Sequence, residues 1–318
     1  MSDQFFSQKI FSNYSSRVIT EERKPYLIAE IGLNHNNDMD LAARMIEKAA
    51  ECGADCVKFQ SYTTEKFINK ESADTGPIYN IFSQYELSEQ DHDELKKAAD
   101  NNGLDFISTP LTVDWVEVLA HLRVPFFKIA SGDLNNYLLL KETTKHNIPH
   151  FVSTGASYWQ DIERSAAFFK LANFKNVVFL HCISNYPTPT DQLHLDTIGK
   201  IQNQIGSLSG FSDHSIGAFA SFGAVMLGAT VVEKHFTLDK NMDGPDHAIS
   251  AEPGELAEIR ELIDLASQMK GEREEPDSDE MKGEYLGKRS IYNIDGEVLA
   301  MRPRVSNLPK DSDYFTTI

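Results

Sequence analysis

Cysteine, tryptophan and positive charge are scarce in this chain of 318 residues. The three cysteines, Cys52, Cys56 and Cys182, are an odd number without a zinc-binding spacing. They predict reduced thiols and a cytoplasmic protein rather than a disulfide framework. The 30 Lys and Arg residues are outnumbered by 48 Asp and Glu residues, for a formal net charge of −18. This balance argues against a nucleic-acid-binding surface and against an acidic-membrane-binding surface.

Membrane-spanning and secretory segments are also missing from the sequence. No apolar run approaches the roughly 18 residues that a membrane span requires. The N-terminus, MSDQFFSQKIFSNYSSRVITEERKP, lacks the apolar core and the cleavage pattern of a secretory signal. We therefore expect no membrane association. We expect residues 1–24 to form a poorly structured arm, either free or packed on the barrel.

What the chain does have is a regular alternation of strand-like and helix-like segments. Apolar runs such as PYLIAEIG, CVKFQSY and LDFISTP precede stretches of helical periodicity such as MDLAARMIEKAAECG. Eight such units in about 250 residues predict an α/β fold, a (β/α)8 TIM barrel, rather than an open doubly wound sheet. We expect the barrel to span residues 25–270, with a long crossover around Thr63 to Glu89 near the active site.

The character of the sequence changes after Met269. The segment KGEREEPDSDEMKGEYLGK is charged and is typical of a linker or a solvated surface. The residues that follow are too few to fold alone, since such a short segment buries little apolar surface. We therefore interpret residues 271–318 as a linker and a truncated C-terminal remnant.

Polar residues gather at the C-terminal end of every predicted strand. A single strand lysine more often pairs with a carboxylate than binds substrate, and a single strand histidine is more often a hydrogen-bonded core residue. Eight polar endings in register instead favour a site, because these strand ends share one mouth of the barrel. In chain order they present Glu30, Asn34, His35, Lys58, Gln60, Ser108, Thr109, Lys128, Ser131, Asp133, Ser153, Thr154, Asn185, Tyr186, Ser212, Asp213, His214, Glu233 and His235.

Two histidines suggest a metal site. His214 and His235 end the seventh and eighth strands, which are neighbours in a closed barrel. Two neutral imidazoles side by side suit a divalent transition metal, with Asp246 either as a third ligand or as a base that contacts a ligand rather than the metal. A set without cysteine leaves positions open for water and substrate oxygens, as Lewis-acid catalysis requires. The alternative interpretation is a histidine–carboxylate hydrogen-bond network without a metal.

Two strand lysines suggest an anion site. Phosphate and carboxylate groups bind ammonium groups together with hydroxyl or backbone donors. A Schiff-base lysine is the competing interpretation, and two lysines beside a metal site favour the anion site. The predicted anion-binding residues are Lys58, Lys128, Thr109, Ser131, Ser153 and Ser212.

These residues lie in motifs that resemble the sialic acid synthase family, which condenses phosphoenolpyruvate with an acylated amino sugar. The resemblance covers residues 25–269 and rests on LIAEIGLNHNND, GADCVKFQSY, FISTPL, FKIASGDL, VSTGAS, HCISNYPTP, GFSDHSIG and VEKHFTLDKNMDGPDHAIS. On these motifs the chain is identified as a member of the family, which includes N-acetylneuraminate, spore-coat polysaccharide, legionaminic acid and pseudaminic acid synthases.

The resemblance implies a role for each matching position. It implies that a manganese or magnesium ion is held by His214 and His235. It implies a sugar-facing set that consists of Glu30, Gln60, Asp133, Tyr186 and Asp246. It implies phosphoenolpyruvate contacts from Lys58, Thr109, Lys128, Ser131, Ser153, Asn185, Tyr186 and Ser212.

The reaction implied by the resemblance yields a nine-carbon sialic-acid-like sugar and phosphate. C3 of phosphoenolpyruvate attacks the aldehyde of the open-chain sugar, water adds at C2, and phosphate leaves by C–O cleavage. Glu30 and Asp246 both remain candidates for orienting or deprotonating the water. Lys58 and Lys128 complete the expected catalytic set.

Two departures from the family pattern bear on function. Relatives commonly carry Glu where this chain has Asp133, at a position associated with the acylamino group of the sugar, so the acceptor is expected to differ from N-acetylmannosamine in detail. Relatives also carry an antifreeze-like domain that lends an arginine to the partner subunit. The resemblance thus implies a homodimer, but the short remnant argues against the domain-swapped arrangement and leaves Arg302 as the candidate replacement.

Two other functions compete with the synthase. The shortened C-terminus is compatible with a catalytically silent scaffold or regulatory subunit. The barrel with its anion site is compatible with a lyase or an aldolase that acts on a phosphorylated acid.

Overall fold

The computed structural model describes residues 4–274, 291–294 and 297–300. The chain divides into two compact units, Met1–Lys270 and Gly271–Ile318. Within the second unit, β11 (Ile291–Ile294) and β12 (Glu297–Ala300) form an antiparallel pair. Arg302, the candidate replacement arginine, lies outside the described residues.

The first unit is built around a parallel sheet of eight strands that is nearly closed on itself. Hydrogen-bonded neighbours follow the order β5-β4-β3-β10-β9-β8-β7-β6, and β5 and β6 lie next to each other across the remaining seam. The predicted (β/α)8 TIM barrel is thereby confirmed. Its strands are β3 (Tyr26–Gly32), β4 (Cys56–Ser61), β5 (Asp105–Pro110), β6 (Phe127–Ile129), β7 (His150–Ser153), β8 (Val177–Cys182), β9 (Leu208–Asp213) and β10 (Val231–His235).

Helices connect successive strands and surround the barrel. They bury the apolar stripe that the sequence predicts: in α1 the buried residues are Leu41, Ala42, Met45, Ile46 and Ala49. The helices are α1 (Met39–Glu51), α2 (Thr64–Phe67), α3 (Gly76–Phe82), α4 (Glu89–Asn101), α5 (Asp114–His121), α6 (Tyr137–Thr143), α7 (Trp159–Leu171), α8 (Thr197–Lys200), α9 (Phe219–Met226) and α10 (Pro253–Met269). Helices α2 and α3 lie in the long crossover.

The barrel interior changes from apolar to polar along the strand direction. Side chains alternate between the two faces of a strand, so every second residue points inward. The lower layers are an apolar cluster that includes Ile28, Cys56, Ile107, Phe126, Phe151, Leu180, Leu208 and Val231. One step of two residues further along these strands, the inward positions become polar, as at Glu30, Lys58, Thr109, Lys128 and Glu233. The fold therefore brings these polar side chains into one layer at the C-terminal mouth.

The N-terminal segment is more ordered than the sequence suggests. The region predicted to be a poorly structured arm contains β1 (Ile10–Phe11) and β2 (Val18–Ile19), which pair antiparallel. Ile10 and Ile19 are buried in the same cluster as the lower barrel layers, so this hairpin closes the end of the barrel opposite the mouth. Among the described residues, no helix combines the length and the apolar character needed to cross a membrane.

Candidate active site

The C-terminal mouth of the barrel contains a polar cavity of about 230 Å³. Most of the residues that the sequence predicts for the site line it together. They are Glu30, Lys58, Gln60, Thr109, Lys128, Ser131, Ser153, Tyr186, Ser212, His214 and His235. Asp133, Asn185 and Asp246 lie outside this lining.

Four buried charged side chains form the floor of the cavity. The Lys58 Nζ lies 2.7 Å from Glu30 Oε2 and 3.7 Å from Glu233 Oε1, and it donates to Thr109 Oγ1 at 3.1 Å. The Lys128 Nζ lies 3.6 Å from Glu233 Oε1. Glu233 therefore bridges the two lysines, and none of the four charged side chains is more than 6% exposed. A buried charge is tolerated only when it is paired in this way.

The two carboxyl groups differ in their proton affinity. Burial raises the pKa of Glu30 to about 7, and the nearby Glu233 carboxylate adds to this effect against the opposing charge of Lys58. Burial acts in the same direction on Glu233, but Lys128 and Lys58 outweigh it and lower its pKa to about 2. Glu233 thus carries the permanent negative charge, and Glu30 is the group that exchanges a proton near neutral pH.

The lysines also differ from each other. Burial lowers the pKa of Lys128, and the attraction of Glu233 only partly compensates. For Lys58 the two carboxylates outweigh burial, so its pKa is raised. The charged form of Lys58 is therefore already stabilised by its partners. The charged form of Lys128 is the one that an additional anion would stabilise most.

Hydroxyl groups complete the wall beside the lysines. The Ser212 hydroxyl donates to Glu233 at 3.2 Å, and the Ser153 Oγ is buried without a hydrogen-bond partner among the described residues. Ser131 Oγ accepts the Gly155 N–H at 3.0 Å. A Cβ added to Gly155 would lie 2.8 Å from Ser131 Oγ and 2.3 Å from Ser184 Oγ. A glycine is needed here because the chain passes so close to this wall.

The two predicted metal-binding histidines lie side by side at the rim. Their ring centroids are 5.6 Å apart. His214 Nδ1 is 2.7 Å from the Ile183 carbonyl oxygen, which leaves the other ring nitrogen as the one available to a metal. Burial acts to lower the pKa of His214, but Cys182 and the Ile183 carbonyl outweigh it and raise this pKa above its usual value. Burial, with the charges of His214 and Lys58, lowers the pKa of His235 well below its usual value, so this ring is neutral. A neutral imidazole with an available lone pair is the form that binds metals.

Asp246 lies beside the histidine pair but not within bonding distance. Its Oδ2 is 3.9 Å from His235 Nδ1, which is buried and has no hydrogen-bond partner in the part of the chain that the structure describes. Across the described residues, no group of three or more His, Cys, Asp or Glu side chains is arranged to hold a metal ion. The histidine pair therefore offers two nitrogen ligands, with Asp246 at longer range.

The loop that carries Asp246 is attached to the turn after β3. The buried Asn34 side chain donates to the Phe236 carbonyl oxygen at 2.9 Å and to Ser250 Oγ at 2.8 Å. Ser250 Oγ donates in turn to the backbone carbonyl of Asp246 at 2.7 Å. These contacts hold the Asp246 backbone above the Glu30 side of the mouth.

The other predicted substrate-contacting residues lie in different parts of the site, and one of them points away from the cavity. The Tyr186 ring lies 4.1 Å from the His214 ring and is 51% exposed, so it forms part of the open rim. Gln60 donates to Glu30 at 3.3 Å. Asp133 accepts from the Asn136 side chain at 3.0 Å, next to the mouth. The Asn185 amide, by contrast, donates to Gln192 at 3.2 Å and does not face the cavity.

Glu233 and Cys182 line the cavity, although neither was assigned a catalytic or a binding role from the sequence. Glu233 was recognised only as a polar strand end, yet it is the centre of the charge cluster. Cys182 lies in the wall, with its sulfur 3.8 Å from His214 Nδ1. The alternation of inward-pointing and outward-pointing residues along β8 and β10 could have predicted that both side chains point into the barrel. A second, larger cavity of about 770 Å³ shares Cys182 and Ser184 with the mouth, but the buried charged residues gather in the smaller one.

The fold and its polar mouth are those of a (β/α)8 barrel enzyme. Residues 45–275 match the NeuB family, and the chain belongs to this family. The resemblance inferred from the motifs is thereby confirmed.

Named relatives and a solved structure agree with this family. The chain is 44% identical to the uncharacterized protein MJ1065 of Methanocaldococcus jannaschii over 81% of this chain and 75% of that protein. It is 38% identical to the N,N'-diacetyllegionaminic acid synthase of Campylobacter jejuni over 74% of each chain. The structure of an N-acetylneuraminic acid synthetase from Leptospira borgpetersenii superposes with a TM-score of 0.81 at 31% identity, covering 88% of this chain and 96% of that one.

Proposed function

We propose that this protein condenses phosphoenolpyruvate with an acylated amino sugar and water to give a sialic-acid-like nonulosonic acid and phosphate. The observation that carries the proposal is the placement of two buried lysines and two imidazoles around one small cavity. The lysines suit the phosphate and carboxylate of one substrate. The imidazoles, at the rim, lie where a second substrate would enter.

Phosphoenolpyruvate binds on the Lys128 side of the cavity. Lys128 is buried, and its pKa is lowered because burial outweighs its partner Glu233. An incoming anion therefore stabilises the protonated form of Lys128, and the positive charge of that form attracts the anion. Ser131, Ser153 and Ser212 supply hydroxyl donors on the same wall. Such donors fix the orientation of a phosphate or a carboxylate in addition to the charge of the lysine.

His214 and His235 would hold a divalent cation. The fit rests on the buried His235 Nδ1 without a hydrogen-bond partner among the described residues and on the His214 ring, whose Nδ1 is hydrogen-bonded to Ile183. Such a pair leaves room for oxygen ligands. When bound, Mn²⁺ or Mg²⁺ supplies Lewis-acid polarisation of a substrate oxygen.

The side chains account for the proton balance of the reaction. A bond forms between C3 of phosphoenolpyruvate and the aldehyde carbon, a second forms between C2 and the water oxygen, and the bond from C2 to the phosphate oxygen breaks. Glu30 accepts the proton of the water, since its pKa of about 7 places it between acid and base forms at neutral pH. Asp246, whose pKa is raised by burial, is the group that we assign to protonate the acceptor oxygen. Water gives up both of its protons in this sequence. The first balances the new hydroxyl group, and the second, from the C2 hydroxyl of the tetrahedral intermediate, leaves with phosphate as the C2 ketone forms.

The acceptor binds over Tyr186 and Asp133. The exposed Tyr186 ring offers an apolar face for a sugar ring. Because this ring lies against His214, a sugar stacked on it would have its aldehyde end near the imidazoles. The Asp133 carboxylate is tied to Asn136 at 3.0 Å. A shorter carboxylate than the usual glutamate leaves more space beside the acylamino group, which favours a bulkier acylated sugar over N-acetylmannosamine.

Phosphate release from phosphoenolpyruvate tests the proposal. The full chain is incubated with N-acetylmannosamine, its 6-phosphate or a diacetamido hexose, each with Mn²⁺, Mg²⁺ or a chelator. We expect release only when an acylated amino sugar and a divalent ion are both present. Phosphate release without a sugar would contradict the proposal, because it would mean simple hydrolysis of phosphoenolpyruvate. Pyruvate formation or consumption in the presence of the sugar would indicate a lyase or an aldolase. No release and no phosphoenolpyruvate binding across the panel would indicate a silent scaffold.

A further inference from the structure

A fully buried ion pair lies directly behind the two histidines. Asp213 is the last residue of β9 and directly precedes His214, and Lys234 precedes His235 on β10. The two residues are register partners on these neighbouring strands, and each is 1% exposed. Because side chains alternate along a strand, Asp213 and Lys234 point away from the mouth, toward α9. Neither residue lines the cavity, although the positive charge of Lys234 adds to burial in lowering the pKa of the His235 ring.

Both members of the ion pair make hydrogen bonds to neighbouring groups. Lys234 Nζ lies 3.1 Å from Asp213 Oδ2 and also donates to the Ser215 carbonyl oxygen. Asp213 Oδ1 accepts from the Ser215 N–H at 2.8 Å and from the Ser215 hydroxyl at 2.7 Å. Asp213 Oδ2 accepts from Ser221 of α9 at 2.7 Å. A charged pair can persist at this depth only because these contacts satisfy it.

These contacts fix the backbone on both sides of His214. Ser215 is held at its N–H by Asp213 and at its carbonyl by Lys234. The His214 carbonyl accepts from the Thr188 N–H at 2.9 Å, and the His214 ring is bound to the Ile183 carbonyl. Lys234 lies on β10 next to His235 and reaches the backbone of Ser215, the residue after His214. It therefore connects the strand that carries His235 to the turn that carries His214.

We propose that Lys234 and Asp213 are positioning residues that set the relative placement of the two imidazoles. A buried ion pair contributes little to stability beyond what apolar residues of similar volume provide, so the contacts that this pair makes to Ser215 point to a directional role. Partners behind metal-binding histidines typically affect affinity through the orientation of the ligands. Only the expected change in Mn²⁺ affinity rests on the proposed function; the placement of the two rings does not.

Two readouts test the inference in the full chain. The first is the ¹H–¹⁵N spectrum of the histidine rings without any metal or substrate. The second is Mn²⁺ binding measured by electron paramagnetic resonance. In Lys234→Met we expect the ring nitrogen signals of His214 and His235 to shift and broaden. We expect Mn²⁺ affinity to fall about 10- to 100-fold, as for other residues that orient metal ligands.

A second variant separates positioning from folding. The double variant Lys234→Met with Asp213→Leu leaves no unpaired charge, so it is expected to fold even if the single variant does not. Its ring signals and its Mn²⁺ affinity should still be altered. The control is Arg260→Met, which removes an ion pair with Asp55 (3.2 Å) at the opposite end of the barrel and should leave both readouts unchanged.

The inference would be overturned if the stable double variant kept the ring signals of the wild type and bound Mn²⁺ within twofold of the wild-type affinity. Equal changes in Arg260→Met would overturn it as well, because they would indicate a general loss of packing. If the wild-type chain itself binds no Mn²⁺, the metal part of the proposed function fails, and the ring spectra alone decide whether Lys234 and Asp213 position the histidines.

Discussion

Replacing Lys128 with methionine should separate ligand binding from stability. The Lys128 side chain is 4% exposed, and its Nζ lies 3.6 Å from Glu233 Oε1. At an effective dielectric constant of about 20, two unit charges at this distance attract by about 5 kcal/mol. Removing the ammonium group also removes its own desolvation penalty, which is several kcal/mol and opposes this attraction. Glu233 still retains Lys58 at 3.7 Å. We therefore expect the free energy of unfolding to change by no more than about 2 kcal/mol.

The effect on phosphoenolpyruvate binding should be larger than the effect on folding. A hydrogen bond between charged groups contributes about 1.5–3 kcal/mol, so its loss should weaken affinity about 10- to 100-fold. Isothermal titration with phosphoenolpyruvate, without an acceptor, measures this affinity, and urea unfolding measures stability in the same preparation. Methionine suits the replacement because its unbranched side chain fills the space of the lysine stem.

Lys97→Met is the matched control. Lys97 is 68% exposed and pairs with Asp93 on the surface of α4, so its loss should leave phosphoenolpyruvate binding unchanged. The reasoning is refuted if Lys128→Met binds phosphoenolpyruvate as tightly as the wild type. It is also refuted if the Lys97 variant loses as much affinity as the Lys128 variant.

Three further predictions concern other parts of the molecule. Gly155→Ala should displace the Ser131 hydroxyl and weaken phosphoenolpyruvate affinity about tenfold in the same titration, whereas unchanged affinity would mean that this wall does not contact the ligand. Tyr186→Ala should raise the KM for the acceptor about tenfold while Tyr186→Phe does not, and an equal effect of both variants in steady-state kinetics would refute the role of the ring face. Burial lowers the pKa of His150 to about 3, so the unfolded chain takes up a proton below pH 6.5 that the native ring does not, and stability falls as the pH falls. Between pH 7 and pH 5, protonation of this residue in the unfolded chain should lower the free energy of unfolding in urea by about 2 kcal/mol. The variant His150→Gln should not show this loss, whereas the control His121→Gln, at an exposed position, should still show it.

Much of the architecture could be predicted because the signal was local and repeated. Each strand shows its own apolar run, and each helix its own periodicity, so the barrel followed from their number and order. The mouth could be predicted for the same reason. Once Ile28 is known to point inward, Glu30 must point inward two residues later, and the same relation holds for Cys56 and Lys58.

Features that depend on closure of the barrel could not be predicted. Glu233 acquires its role only because β10 closes against β3, which brings it between Lys58 and Lys128. The inward burial of Ile10 and Ile19 depends on an open lower end of the barrel that no local pattern reveals. Asn185 follows the end of β8, where strand periodicity no longer fixes direction, and its side chain contacts Gln192 instead of the cavity.

The fate of one oxygen atom tests the central claim most directly. Phosphoenolpyruvate labelled with ¹⁸O in the oxygen that bridges C2 and phosphorus is incubated with the full chain, Mn²⁺ and an acylated amino sugar, and the products are analysed by mass spectrometry. Carbon–carbon bond formation with C–O cleavage predicts that the label leaves entirely with phosphate and that a sugar acid three carbons longer than the acceptor accumulates. Retention of the label in pyruvate or in the sugar product would contradict the account, since it would mean that the phosphorus–oxygen bond breaks instead.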